Sequence, residues 1–223
     1  MRLSQADHDR VTAAVAEAER ASSGEIVTIV AARSDAYHDV GLHYAVLAML
    51  LVPAALAVTP EPWIDWTEAL FLGWNAEPAR WQVLLFLFAK LAGAFLAVRL
   101  LLAYMPLRMA LTPGRTKTRR VHRRAIELFR TSCELKTRGR TGILIYLSLA
   151  EHRAEIVADK AIAERTEPEV WGAAMAVLVD EVKDGRPGEG LAKAVEMVGG
   201  VLAPLLPPTD RNPNELPDRL IEL

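Results

Sequence analysis

The chain has 223 residues, and its 28 acidic and 26 basic side chains leave a net charge of -2, which excludes a broadly basic nucleic-acid binder. A single cysteine, Cys133, excludes an internal disulfide framework and any Cys-rich metal site. Hydrophobic residues make up 52% of a chain that is 24% charged, so apolar stretches must coexist with a polar remainder.

The opening MRLSQADHDR is polar and lacks the apolar core and small-residue site of a cleaved signal peptide. Ser4 and Asp7 have capping-box spacing, and Val11, Ala14, Val15 and Ala18 form an apolar stripe that predicts a helix ended by Gly24. EIVTIVAA, residues 25–32, is β-branched and apolar on both faces, the pattern of a buried central strand.

Two long apolar segments follow. LHYAVLAMLLVPAALAV, residues 42–58, contains Pro53, which a membrane helix tolerates better than a soluble one does. Residues 82–105 are long enough to cross a hydrocarbon core of about 30 Å. Lys90 and Arg99 of this segment fall on roughly opposite faces, unlike the charges of a soluble amphipathic helix, and each can extend its aliphatic stem toward the nearer interface. The connecting loop, 59–80, carries Trp63, Trp66 and Trp74, and Trp81 follows it. Tryptophan collects at membrane interfaces, and Trp63, Thr67, Leu70 and Trp74 share one helical face, as a short helix lying on the membrane would require.

Arg80 is the sole basic residue of that loop, whereas Arg108, Arg115, Lys117, Arg119, Arg120, Arg123 and Arg124 follow the second segment with no acid among them. The positive-inside rule then places both termini in the cytoplasm and the loop outside, in a two-span protein of the cell (inner) membrane. The basic run would also be attracted to anionic lipid headgroups.

Beyond it, residues 117–137 predict a helix with Val121, Ala125, Leu128, Phe129, Ser132 and Cys133 inward. GILIYLSLA, 142–150, is a second buried strand, and AEIVAD, 154–159, can pair back on it across the EHR turn. Thr166 with Glu169 predicts a capped helix stopped at Gly185, and Pro187 opens another with Leu191, Ala194, Val195, Val198 and Leu202 inside. The Pro-, Asn- and Asp-rich end, 207–223, predicts a flexible tail. The first 36 residues are too few to fold alone. They are expected to join 117–206 in one discontinuous cytoplasmic α/β domain, interrupted by a transmembrane hairpin over 41–106.

GEIVTIVAARSD, TGILIYLSLAEHRAEIVADKAI and VWGAAMAVLVDEVKDGRPGEGLAKAVEMVGGVLA together resemble the TPM domain, also called the TPM-phosphatase domain, across nearly all of the chain outside 37–116 and the tail. The likeness is greatest to a bacterial subset with its own membrane hairpin. The resemblance implies an α/β/α sandwich. It also implies, from members described as acid phosphatases or calcium binders, a divalent-metal site. Many such domains have Asp-Asn-Gly before the second strand and Gly-x-Gly-x-Glu after the third; Arg140-Thr141-Gly142 and residues 158–162, Ala-Asp-Lys-Ala-Ile, stand there instead. Gly142, Arg153 and Asp159 occupy family-like positions.

No phosphate-binding Gly-rich loop, nucleophile elbow, His-Glu-x-x-His or EF-hand pattern is present. Asp159 is the candidate catalytic residue: a carboxylate beyond a strand end can hold calcium or magnesium or attack a phosphoryl group. Gly142, Arg153, Arg138 and Arg140 are candidate binding residues, the last two because a Gly139 turn between arginines can hold an anion. Two functions are in view. One is a membrane-tethered, non-catalytic scaffold or maintenance factor whose partners are the bilayer and other membrane proteins. The other is a weak metal-assisted acid phosphatase.

Overall fold

The computed structural model describes residues 3–72, 79–134, 141–208 and 216–223. In chain order the elements are α1 (Gln5–Arg20), β1 (Glu25–Ala31), α2 (His38–Val58), α3 (Glu61–Leu72), α4 (Arg80–Leu101), α5 (Met105–Leu111), α6 (Gly114–Phe129), β2 (Gly142–Ser148), β3 (Arg153–Ala158), α7 (Lys160–Ala163), α8 (Pro168–Lys183), α9 (Pro187–Leu205) and β4 (Ile221–Glu222). They divide into two compact units, residues 1–35 with 114–223, and residues 36–113.

The first unit is mixed α/β. Among the described residues its sheet has four strands in the order β3-β2-β1-β4. β1 and β2 run parallel from Glu25 opposite Gly142 to Ala31 opposite Ser148. β3 returns antiparallel, with Ile143 opposite Ala158 and Ser148 opposite Arg153. Both central strands are buried at every position, as expected where helices cover both faces of a sheet. The pleat divides their side chains. Ile26, Val30, Ile143, Ile145 and Leu147 pack with Val11 and Val15 of α1, Leu178 of α8 and Leu191, Val195 and Val198 of α9. Val27, Ile29, Leu144 and Tyr146 face Val121, Ala125 and Phe129 of α6, with Cys133 and Leu216.

Ser4 and Asp7 form the predicted capping box of α1, but the helix closes on a right-handed Ala21 rather than at Gly24. Gly24 serves close packing instead, since a Cβ there would lie 2.8 Å from Leu202 Cδ1. Gly185, at φ 81°, takes the left-handed position after α8. The predicted Thr166–Glu169 cap is not formed: α8 begins after Glu167 with no side-chain cap, because Thr166 Oγ1 donates back to the Ile162 carbonyl at 3.0 Å. Of the α-helix predicted over 117–137, the part to Phe129 is regular and residues Arg130–Glu134 form a π turn, while 135–137 lie outside the described residues. There Thr131 and Ser132 hydroxyls donate to the Glu127 and Leu128 carbonyls and compete with the helical ladder.

The predicted flexible tail is corrected over 216–223. β4 pairs parallel to β1, Ile29 opposite Ile221, Leu223 N–H donates to Val30 O at 2.8 Å, and Leu216 and Leu220 are buried. A two-residue edge strand is stabilised by its distant partner strand, which local composition does not reveal. Residues 209–215 of that tail lie outside the described residues.

In the second unit, α2 and α4 pack side by side. Each is long and apolar enough to cross a membrane; 17% of the apolar window of α2 and none of that of α4 is buried. Lys90 has the company that its sequence surroundings do not reveal: Nζ donates to Thr67 Oγ1 of α3 at 3.2 Å and lies 4.2 Å from the centre of the Phe86 ring, one turn toward the start of α4. Trp63 and Trp66 of α3 meet edge to face and stay exposed, as does Trp81. Trp74 lies outside the described residues.

Candidate functional site

In a parallel sheet, ligands approach the carboxyl ends of the strands. There the first unit gathers a polar cluster. Ser148, the last residue of β2, donates its hydroxyl to Glu151 Oε2 in a short hydrogen bond. The other carboxylate oxygen, Oε1, accepts the Ser34 N–H at 3.0 Å. Ser34 Oγ lies 2.9 Å from the Tyr146 hydroxyl. Ser148, Tyr146 and Glu151 are all buried. Beside them Asp35 forms an ion pair with Arg120 of α6 and stands 3.7 Å from Arg123.

Burial pushes the Tyr146 phenol above its usual range, and the neighbouring Glu151 carboxylate adds to this, while hydrogen bonds from Ser34 and Ser148 and the nearby Arg124 charge oppose it. The phenol therefore stays protonated at neutral pH and serves as a hydrogen-bond partner rather than a base. Glu151 spends both oxygens on groups that leave β1 and β2. The constellation therefore joins the chain beyond β1 to the turn beyond β2. His152, in a left-handed conformation at φ 47°, follows directly. It lines a shallow cavity of about 250 Å³ with Ala32, Leu149, Ala150 and Val182.

The residues singled out from sequence are divided between the two ends of the sheet. Asp159 lies at the amino end of β2, because β3 is antiparallel and brings its own end back there. A carboxylate beyond the end of a parallel strand faces the ligand edge, whereas one beyond this antiparallel strand faces the opposite edge. Asp159 is buried. Its Oδ2 accepts the Gly142 N–H at 3.0 Å, and its own N–H donates to the Gly142 carbonyl at 3.0 Å. Gly142 and Asp159 are thus brought together, as reciprocal partners that close the β2–β3 pair.

Arg153 sits opposite Ser148, at the other end of β2, about 20 Å away for a seven-residue strand. Its Nε is buried without a hydrogen-bond partner, and its Nη2 is 3.5 Å from where a Cβ of Gly114 would be, at the start of α6. Arg138 and Arg140 lie outside the described residues. Among the described residues no three His, Cys, Asp or Glu side chains gather as a metal site.

Sequence reasoning passed over Ser34, Tyr146, Ser148 and Glu151. Tyr146 and Ser148 were legible as polar atoms inside an otherwise apolar strand, where buried hydroxyls need partners. Glu151 and Ser34 had no such mark. Glu181, near the end of α8, is bonded by Lys193 and Arg186, which hold its carboxyl below the usual range and so tie α8 to α9.

No family model matches this chain, and no curated protein matches it. Its fold is similar to the NMR structure of the BA42 protein from the psychrophilic bacterium Bizionia argentinensis, with a TM-score of 0.56 and 16% identity over 100% of this chain and 97% of that one.

Proposed function

We propose that this chain is an integral protein of the cell membrane that presents a cytoplasmic, TPM-like α/β/α sandwich as a non-catalytic scaffold for other membrane proteins. One observation carries the reading: α2 and α4 keep apolar side chains exposed around and along their lengths, a surface that water would penalise and lipid would not. Leu50, Leu84, Leu85, Phe88 and Leu96 are all exposed. The two helices cross the bilayer as a hairpin, and the arginine-rich start of α6 keeps its end inside. Helix α3, with its exposed Trp63 and Trp66, lies at the outer interface. Helices on both faces of the sheet support the sandwich layering.

The engagement of Asp159 with Gly142 favours the scaffold over a metal-assisted phosphatase. Alkaline carbonate extraction tests the anchoring: the chain should stay in the membrane pellet, and its release would end the reading. Reporters of sidedness on both termini should register inside. Affinity capture from gently solubilised membranes should return a reproducible membrane partner. Hydrolysis of phosphate esters with calcium, magnesium or manganese, abolished in Asp159→Ala, would replace the scaffold with the enzyme.

A further inference from the structure

Within the second unit, three basic side chains converge where α4 ends, α5 begins and α2 starts. Arg108 of α5 is only 5% exposed. Its Nη1 lies 2.8 Å from His38 Nδ1, in the first turn of α2. Nη2 reaches the Ala103 carbonyl and Met105 Sδ at 3.5 Å each, and Nε is buried with no hydrogen-bond partner. Arg99, half-buried at the end of α4, approaches the same place: a Cβ on Gly41 would lie 3.8 Å from Arg99 Nη1 and 3.8 Å from Arg108 Cδ. Asp39, the acid of that turn, has a partner of its own, and none of the ion pairs among the described residues involves Arg99 or Arg108.

A guanidinium is charged at all physiological pH, and burying it without an anion is unfavourable. Here a buried guanidinium has an imidazole nitrogen, a carbonyl and a thioether for company. The 21-residue helix α2 also directs its positive end here, and its left-handed N-cap, Tyr37, makes no side-chain capping bond. Two guanidinium forks and a helix start suit a tetrahedral oxyanion. Leu100, Leu101 and Tyr104, next in the chain to Arg99, are exposed, so the approach to the charges is apolar.

We propose that Arg99, Arg108, His38 and the first turn of α2 form a binding site for the phosphate of an anionic phospholipid, whose acyl chains lie on the exposed side chains of α4. The site rests on the membrane reading above, which puts this end of α4 at the depth of the inner-leaflet headgroups. It differs from the arginine run of α6, a surface charge that any anionic membrane attracts.

The test uses the full chain in mild detergent, stripped of lipid and mixed with equal amounts of phosphatidylglycerol and phosphatidylcholine. Lipid retained per chain is read by native mass spectrometry. The wild type should retain phosphatidylglycerol preferentially, and Arg99→Gln should lower that retention about tenfold, the loss of one charge-assisted contact of about 1.4 kcal/mol. Arg108→Lys, which keeps the charge but not the fork, should also lower it.

Equal retention of the two lipids by the wild type, or full retention by Arg99→Gln, would overturn the site. Inorganic phosphate that displaces the phosphatidylglycerol at equal concentration would assign the site to a soluble anion and overturn the lipid. Release of the chain by carbonate would sink the membrane reading. A chain that stays embedded but shows no headgroup preference would sink this site alone.

Discussion

Strands β1 and β2 and helices α2 and α4 are about equally apolar in sequence, yet they resolve that property in opposite ways. Every residue of the two strands is buried by the helices on either side. Helix α4 has no buried residue at all. The unfolded chain exposes apolar surface in both cases, but the strands recover all of it within the protein and the helical pair only a part. The helical pair leaves most of its apolar surface unburied, which a bilayer would cover under the reading proposed above. Composition therefore measures how much surface must leave water, and the tertiary structure shows where it goes.

Deletion is the strongest way to break this comparison. Asp35, where the chain leaves the first unit, forms an ion pair with Arg120 of α6, the helix on which the chain returns to that unit. Replacing residues 36–113 with a short Gly-Ser linker should move the protein wholly from the membrane pellet to the soluble fraction with its circular dichroism cooperative. An insoluble or unfolded product would show that the α/β unit depends on the helical pair.

Side-chain truncation sharpens the same contrast. Leu178, fully buried between sheet and helix, should cost about 2–5 kcal/mol when changed to alanine. Leu85, 57% exposed, should cost less than about 0.5 kcal/mol in detergent. Urea midpoints of the two variants decide it, and comparable losses would mean that the exposed face of α4 around Leu85 is itself covered by protein.

A smaller effect is expected at Asp159. Asp159→Ala leaves the Gly142 N–H without its acceptor, at about 1–3 kcal/mol, while Asp159→Asn, which keeps an acceptor oxygen, should lose less. Equal stability of all three proteins would remove the proposed clamp between β2 and β3.

The smallest effect is a pH dependence. Burial, with help from nearby Glu25 and Asp218, pushes the Glu19 carboxyl up to about 8, although the Ile26 N–H donates to it and opposes the shift. The folded state therefore binds this proton more tightly than the unfolded one. Its stabilisation is complete below the ordinary value of 4.5 and is lost as pH rises toward about 8. Glu19→Gln keeps an acceptor for Ile26 and should flatten the decline of melting temperature over that window, recovering about 1 kcal/mol or less at pH 8 after solvent screening. A wild-type melting temperature that does not fall between pH 5 and 8 would refute it.

Patterns that repeat along a short stretch were readable from residues alone. Two largely apolar central strands, the Ser4–Asp7 box, the Gly185 stop, the Pro187 start and two long apolar helices all arise from local sterics and side-chain spacing. Lys90 was legible as a charge seeking the nearer interface, though not as a partner of Thr67, which belongs to another helix. The fate of Thr166 was decided by a carbonyl one turn earlier that competed for its hydroxyl.

By itself, the sequence determined which segments must be shielded from water and which must turn, because those demands are local. Only the tertiary structure decided that Asp159 closes the amino edge of the sheet while Glu151 occupies the carboxyl edge, that the end of the chain becomes a strand beside β1, and that Arg99 and Arg108 meet at Gly41. Strand direction, edge pairing and the convergence of charges from three helices depend on residues far apart in the chain, and hydrophobic periodicity carries no record of them.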